Sequence, residues 1–196
     1  MVLAGLSANA ASKKLVGIPL GSPSIDYANN TVSQEKNLPA DAFDGDATTF
    51  YASYADMYAW VGLDLGRKCV IDSVSFIPAS NPKGNMQLGV FEGANRPDFS
   101  DAIPFHVIKH APAEGQKAGV GVSCSRGFRY VRYVGPSESH CNVAELAFYG
   151  SDGEGDDSRL YQMTNLPLLV IRTQDDKEVT SRDEYIDGWR SMGSGD

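Results

Sequence analysis

The stretch Phe128-Arg-Tyr-Val-Arg-Tyr-Val134 decides the fold class, because its arginines interrupt an otherwise apolar run as they would along a strand. Side chains of a strand point alternately to the two faces of a sheet. We therefore expect its aromatic rings to line one face and its arginines to be solvated or paired. Short alternating or apolar runs recur along the chain while helical periodicity is almost absent, which predicts an all-β protein.

The other predicted strands are also short and are separated by residues that favour turns. With the first stretch, the predicted strands are Leu15–Leu20, Trp60–Leu65, Val70–Ile77, Met86–Phe91, Phe105–His110, Ala118–Ser123, Phe128–Val134 and Ala144–Tyr149. Clusters of Gly, Pro, Asn and Asp lie between them, which is typical of a β-sandwich. Residues 21–59 hold little strand signal, and so long an irregular stretch is usually functional or held in place by a metal.

Length and charge narrow the classes of function. A chain of 196 residues with 42% hydrophobic residues can form one domain with a packed core. Its net charge of -8 argues against nucleic acid and anionic lipid, both of which attract basic surfaces. The sequence has no apolar run approaching the roughly 20 residues of a transmembrane helix, so no membrane insertion is expected.

The sequence divides into four parts. Residues 1–12, with the small-residue pattern Ala8-Asn9-Ala10, are interpreted as a signal-peptide remnant or a disordered N-terminus. Residues 13–150 form the predicted sandwich, and residues 151–159 form an acidic linker. Residues 160–196 are interpreted as an extra strand or as the start of a truncated second domain.

The three cysteines cannot all pair within one chain. Cys69, Cys124 and Cys141 form no CxxC pair and match no zinc-binding spacing. We expect buried structural thiols, and the sequence leaves one disulfide possible.

No motif of a known catalytic site is visible. The sequence has no Gly-x-Ser-x-Gly elbow, no HExxH helix, no phosphate-binding loop and no dinucleotide fingerprint. Its many acidic residues show no spacing that singles out a glycosidase pair. The chain by itself is therefore predicted not to be an enzyme.

Several stretches, in the same order, resemble the coagulation-factor V/VIII type C, or discoidin, superfamily. They are Ala42-Phe-Asp-Gly-Asp-Ala-Thr-Thr-Phe-Tyr51, Trp60-Val-Gly-Leu-Asp-Leu-Gly66, Val70-Ile-Asp-Ser-Val74, Phe128–Val134 and Cys141-Asn-Val-Ala-Glu-Leu-Ala-Phe-Tyr-Gly150. The sequence looks most similar to family 32 carbohydrate-binding modules and fucolectin-like domains of surface proteins from gut bacteria of the Bacteroides type. The resemblance implies a jelly-roll β-sandwich of the galactose-binding-domain type with its binding loops at one end, and it places Trp60 in the core.

Asp44-Gly45-Asp46 sets two carboxylates on a tight turn, and calcium prefers several oxygen ligands of mixed type. These three residues alone also fit a simple solvated turn. The resemblance implies a structural Ca²⁺ whose ligands come from two distant parts of the chain. Asp44 and Glu145 would give carboxylates, Asp41, Asp46 and Ala144 carbonyl oxygens, and Ser53 both hydroxyl and carbonyl oxygen.

The resemblance also implies a sugar site in loops at the calcium end. The candidate residues offer aromatic faces, amides, cations or an imidazole, and they are Tyr54, Tyr58, Asn81, Lys83, Asn85, Arg96 and His140. Fucose-binding relatives use a histidine and two arginines. At the corresponding places this sequence has Asp56 and the region Asn81–Met86 with no arginine, which is a departure from the fucose-binding pattern.

Together these observations predict a non-catalytic, calcium-stabilised carbohydrate-binding module. Its partner would be a complex glycan, of galactose or fucose type, and further domains of a parent protein could accompany it. We expect it to be secreted, periplasmic or on the bacterial cell surface. The alternatives are a protein-adhesion module and a structural spacer of a larger surface protein.

Overall fold

A computed structural model describes residues 12–80, 85–123 and 125–156. Within them lie ten strands and one short 3-10 helix, Pro39–Ala42. The strands are β1 Lys13–Lys14, β2 Ile18–Gly21, β3 Ser24–Asp26, β4 Thr31–Ser33, β5 Trp60–Pro78, β6 Val90–Ala94, β7 Ile103–Val107, β8 Ala118–Gly121, β9 Gly127–Val134 and β10 Val143–Asp152. No helix in this part of the chain is long and apolar enough to cross a membrane. The predictions on Asn81, Lys83, Cys124 and residues 160–196 lie outside the described residues.

Strand β5 belongs to both layers of the sandwich. Its first part, from Trp60 to Asp64, pairs with β2 and β9. Its second part, from Cys69 to Pro78, pairs with β10 and β8, and Cys69 and Val70 also pair with the start of β9. Between them Gly66 has a φ of 70°, a left-handed conformation that suits glycine at a bend. The two predicted strands Trp60–Leu65 and Val70–Ile77 are therefore one bent strand.

All strand pairs are antiparallel. Eight strands form one continuous sheet, which β5 divides into two layers around the main core, and β3 and β4 form a separate two-stranded sheet. One layer has the order β2-β5-β9-β6-β7, and the other has the order β1-β10-β5-β8. Aromatic rings join the layers: Phe91 lies 5.7 Å from Phe76 and 5.9 Å from Phe148, measured between ring centroids. This arrangement confirms the predicted β-sandwich.

The decisive stretch Phe128–Val134 is the central strand β9, but its aromatic side chains do not share one face. Phe128 and Tyr133 are fully buried in the main core, whereas Tyr130 belongs to a smaller cluster with Ala94 and Phe99. The expected pairing of the arginines is confirmed. Arg129 contacts Asp64 and Arg132 contacts Glu92, at 2.9 and 2.8 Å respectively.

The sandwich has two distinct ends. Trp60, Val134 and Val90 are aligned across β5, β9 and β6, and they define what we call the Trp60 end. The opposite end, which we call the Gly66 end, contains the β5 bend and the loops between β6 and β7 and before β9. Because the strands are antiparallel, the 135–142 loop after β9 lies at the Trp60 end.

A hairpin occupies part of the stretch in which the sequence shows little strand signal. Strands β3 and β4 pair with Ile25 opposite Val32, and Ile25 N–H donates to Ala52 O at 3.0 Å. Three-residue strands are too short to give a clear alternating pattern, which is why the hairpin is not predicted.

Strand β10 continues to Asp152, two residues beyond the predicted end of the sandwich at Gly150. The following residues are hydrogen-bonded to the Gly66 end. Gly153 N–H donates to Lys68 O at 3.0 Å, and Asp156 N–H donates to Ser125 O at 2.7 Å. The first part of the predicted linker is therefore attached to the sandwich.

Cys69 and Cys141 are buried, unpaired thiols. Cys69 lies at the Gly66 end and Cys141 lies in the loop at the Trp60 end, so the two do not bond to each other. Burial raises the pKa of both thiols, which favours the unreactive protonated form.

Candidate functional site

The Asp44 turn is held by hydrogen bonds to the Asp44 carboxylate. It accepts from Asp46 N–H at 2.8 Å and from the Thr49 hydroxyl at 2.8 Å. Gly45, between the two aspartates, has a φ of 87°, which few other residues adopt without strain. The same Thr49 hydroxyl lies 2.8 Å from Asp46 O. The turn therefore gathers carboxylate, carbonyl and hydroxyl oxygens.

Glu145 reaches this turn from the other end of the sequence. Its Oε1 accepts from Gly45 N–H at 2.8 Å, and its carboxyl group is close enough to that of Asp44 for the two to interact electrostatically. A β-bulge lies here, because Val143 pairs with Pro78 and Glu145 with Ile77, so that Ala144 is skipped. Bulges re-aim side chains and interrupt the ladder. The bulge thus brings Ala144 and Glu145 beside the turn.

The two carboxyl groups have opposite pKa shifts. Partial burial raises the pKa of Glu145, and the adjacent Asp44 carboxyl raises it further. For Asp44, burial opposes ionisation, but hydrogen bonds from Asp46 N–H and the Thr49 hydroxyl outweigh it and lower the pKa. Two carboxylates held this close repel each other unless a proton or a cation lies between them.

The oxygen atoms at the turn fit a hard divalent cation, but only if carbonyl groups contribute. Among the described residues, no three His, Cys, Asp or Glu side chains converge as a metal cluster. The Asp41 carboxylate accepts a hydrogen bond from Leu38 N–H at 2.9 Å. The backbone carbonyl oxygen of Asp41 is therefore the atom that this residue could offer to a cation. A site of two carboxylates with carbonyl and hydroxyl oxygens is typical of calcium rather than zinc.

Ser53 is not part of the hydrogen-bonded Asp44 turn. Its hydroxyl accepts from Ala55 N–H at 3.1 Å, and its carbonyl lies 3.0 Å from His140 Nδ1. Thr49 is the hydroxyl residue that the structure brings to Asp44. Thr49 was not predicted from the sequence, although it lies in the stretch Ala42–Tyr51, five positions after Asp44.

Three segments meet at the Trp60 end: the β3–β4 hairpin, residues 53–58 and the 135–142 loop. Tyr54 N–H donates to Pro23 O at 2.7 Å, and Glu138 N–H donates to Asp56 O at 2.8 Å. Ser53 N–H donates to His140 O at 2.7 Å. The predicted residues Tyr54 and His140 therefore belong to one surface, which we call the loop surface.

The loop surface exposes aromatic side chains and contains strained backbone. Tyr58 is 82% exposed and Tyr54 is 47% exposed. Tyr58, Glu138, His140 and Cys141 all have φ between 51° and 65°, a region that residues other than glycine seldom occupy. Such strain costs free energy and clusters at functional sites.

The remaining predicted sugar-site residues do not belong to the three segments that form the loop surface. Asn85 precedes β6, and its amide oxygen accepts from Gln87 N–H at 2.9 Å, which caps a turn. Arg96 follows β6 and therefore lies toward the Gly66 end, where its Nε is 3.4 Å from Asp98. The structure does not bring Arg96 together with Tyr54, Tyr58 or His140. Asn81 and Lys83 lie outside the described residues.

Trp60 is partly buried but lies outside the main core. Its ring is 5.1 Å from Phe99, and the Arg132 guanidinium lies 5.4 Å from its centroid. These contacts place it on the outer face of the β9 layer, because the next residue, Val61, points into the core. The expectation of a core tryptophan is corrected accordingly.

Two further residues of the loop surface were not predicted from the sequence. The Tyr27 hydroxyl donates to Asn142 Oδ1 at 3.0 Å, and its ring lies 5.9 Å from that of His140 in a T-shaped contact. The sequence offers only a weak signal, the turn-forming pair Asn29-Asn30, because the strands on either side are too short to show an alternating pattern.

No protein-family model and no curated protein sequence matches this chain. Solved structures do match. The family 62 carbohydrate-binding module of Clostridium thermocellum Xyl5A is 38% identical, with a TM-score of 0.65, and the match covers 71% of this chain and 98% of that module.

Two other structures show the same fold at lower identity. A fucolectin from the serum of striped bass, Morone saxatilis, is 18% identical with a TM-score of 0.58, over 71% of this chain and 47% of that chain. A family 32 module of Clostridium perfringens, solved with GalNAc-β-1,3-galactose, is 17% identical with a TM-score of 0.51, over 69% of this chain and 99% of that chain.

These likenesses confirm the jelly-roll sandwich of the galactose-binding type. They also refine the family: the resemblance to family 32 and to fucolectins is one of fold alone, whereas the 38% identity is to family 62. The chain therefore belongs to family 62 of the carbohydrate-binding modules, which are non-catalytic domains.

Proposed function

We propose that the loop surface binds a glycan and that a calcium ion at the Asp44 turn stabilises it. The observation that carries the proposal is the hydrogen bonding between two segments. Tyr51 N–H donates to Val143 O at 2.9 Å, and Ser53 N–H donates to His140 O at 2.7 Å. The segments that hold Asp44 and Glu145 therefore continue directly into the loop surface.

Calcium would be held by the Asp44 and Glu145 carboxylates, by the carbonyl oxygens of Asp41, Asp46 and Ala144, and by Thr49. The bonds of Ser53 to His140 and Ala55 favour Thr49 in its place. The ion would supply positive charge that removes the repulsion between the two carboxylates. Because its ligands come from both segments, it would also hold their connected loops in one conformation.

The loop surface supports sugar binding by its chemistry. Exposed tyrosine rings can stack on the apolar face of a sugar, and the nearby His140 and Asp56 offer groups that can bond hydroxyls. Galactose- and fucose-type sugars are the first ligands to test, because the sequence resemblance implies them. A secreted, periplasmic or surface location stays a prediction.

Calorimetric titration tests glycan binding at the loop surface, and thermal melting tests the calcium site at the Asp44 turn. We expect the wild-type protein to bind a galactose- or fucose-containing glycan in 1 mM Ca²⁺ and to bind it at least tenfold more weakly in excess EDTA. A ligand bound only by the folded state at about 100 times its Kd adds about 2.7 kcal/mol. We therefore expect EDTA to lower Tm by about 5 to 10 °C.

Glu145→Gln and Asp44→Asn should reproduce the EDTA effect and abolish any further response to EDTA. Asp98→Asn is the matched control. The Asp98 carboxylate accepts hydrogen bonds from Ser100 N–H and the Ser100 hydroxyl, so it stabilises a turn in the same way as the Asp44 carboxylate. It should respond to EDTA like the wild type. A Tm shift below about 1 °C in EDTA would rule out the calcium site, and the absence of binding to any glycan on an array would favour an adhesion or spacer role.

A further inference from the structure

We propose that Tyr27, fixed by the buried Asn142, is the aromatic platform of the glycan site. This inference rests on the proposed function and assigns a specificity-determining residue within it. Tyr27 is 41% exposed and lies beside His140 on the loop surface. It comes from the hairpin, which is the third segment of that surface.

The backbone at Tyr27 is held on both sides. The Asp26 carboxylate accepts from Ala28 N–H and from the Asn29 amide, each at 2.9 Å, which forms a closed turn at the tip of the hairpin. On the other side, Asn37 Nδ2 donates to Ile25 O at 2.8 Å. The hairpin tip therefore has a fixed position relative to residues 52–54.

The side chain of Tyr27 is held at its far end as well. Its hydroxyl donates to the Asn142 amide, which is only 1% exposed and cannot follow a moving ring. His140 contacts the ring in a T-shaped arrangement with an interplanar angle of 83°. Such a contact covers at most one face of the tyrosine ring, and the exposed fraction shows that part of the ring meets solvent.

A fixed ring is a better platform than a mobile one. Immobilising a flexible side chain on binding costs conformational entropy, which reduces affinity. Tyr58, at 82% exposure, would incur this cost when a sugar stacks on it. The Tyr27 ring is already ordered in the free protein, so this cost is smaller for Tyr27 than for Tyr58. A sugar that stacks on Tyr27 should therefore bind more tightly than one that stacks on Tyr58.

NMR titration with D-galactose, L-fucose and GalNAc-β-1,3-galactose tests the assignment. Tyr27→Ala should weaken binding of whichever probe the wild type binds by at least tenfold. Tyr27→Phe, which keeps the ring but loses the hydroxyl anchor, should weaken it only two- to fivefold. Tyr58→Ala should have a smaller effect than Tyr27→Ala. Val32→Ala, on the same hairpin, is the matched control and should bind like the wild type.

A direct signature separates contact from a structural role. Protons of the bound sugar that stack on the ring should shift upfield, and this shift should persist in Tyr27→Phe and vanish in Tyr27→Ala. Wild-type binding that survives Tyr27→Ala with the upfield shift intact would overturn the platform assignment alone. A wild type that binds none of the probes would overturn the assignment and the proposed function together.

Discussion

At the scale of single residues, Gly62 sets the approach of β5 to β9. A Cβ built on Gly62 would lie 2.1 Å from Val131 O and 2.8 Å from Arg132 Cα, and both are backbone atoms that cannot rotate away. At Gly119, on the exposed strand β8, the nearest atom to such a Cβ would be 3.7 Å away, which is ordinary contact. Substitution by alanine should therefore be costly at Gly62 and nearly neutral at Gly119.

We predict that Gly62→Ala lowers the free energy of unfolding by about 3 kcal/mol, because the strands must separate to admit the methyl group. Gly119→Ala should change it by less than about 0.5 kcal/mol. Urea denaturation of both variants measures the difference. Equal stability of the two variants would show that β5 and β9 do not pack as closely as described.

At the scale of elements, an ion pair joins β5 to β9 on the outer face of their layer. Both guanidinium nitrogens Nε and Nη2 of Arg129 lie 2.9 Å from the Asp64 carboxylate oxygens. Hydrogen bonding to Arg129 lowers the pKa of Asp64. A depressed folded-state pKa adds stability above the unfolded-state pKa and loses it as the pH falls through the folded-state value.

We predict that Asp64→Asn destabilises the domain by about 1 kcal/mol at pH 7. The difference from the wild type should shrink below about pH 4. Urea denaturation between pH 3 and 7 measures it. Arg129→Met should act through the same pair, so the double variant should be little worse than either single one. A difference that stays constant down to pH 3 would contradict the ion pair.

At the scale of the whole molecule, the two ends of the sandwich carry different segments. The loop surface and the Asp44 turn are joined through residues 51–53 and 140–143, near the Trp60 end. Arg96 and the segment 153–156 lie at the Gly66 end. A ligand on the loop surface would therefore not meet Arg96, although the sequence includes both in one candidate site.

We predict that His140→Asn weakens glycan binding by about tenfold, or about 1.4 kcal/mol. Asparagine is chosen because it tolerates the left-handed backbone at this position. Arg96→Ala should leave the affinity within twofold of the wild type. Calorimetric titration of both variants against the same glycan measures this, and a loss of binding in Arg96→Ala alone would place the ligand at the Gly66 end.

The fold class and the elements with the strongest patterns can be predicted from the amino-acid sequence alone. The central strands β5, β9 and β10 are predicted because alternating and apolar runs reflect burial in a sandwich, which is a local property of a strand. Asp44 and Glu145 were paired only through the family resemblance, since they are 101 positions apart and no local rule connects them.

Which side chains meet depends on the packing of segments that are distant in sequence. The β3–β4 hairpin is stabilised by hydrogen bonds to Ala52 and Asn37 rather than by its own pattern, so Tyr27 could not be recognised as part of the loop surface. The separation of Arg96 from His140 depends on which strands pair and in which register. Register sets distances between residues far apart in sequence, and short-range periodicity carries no information about it.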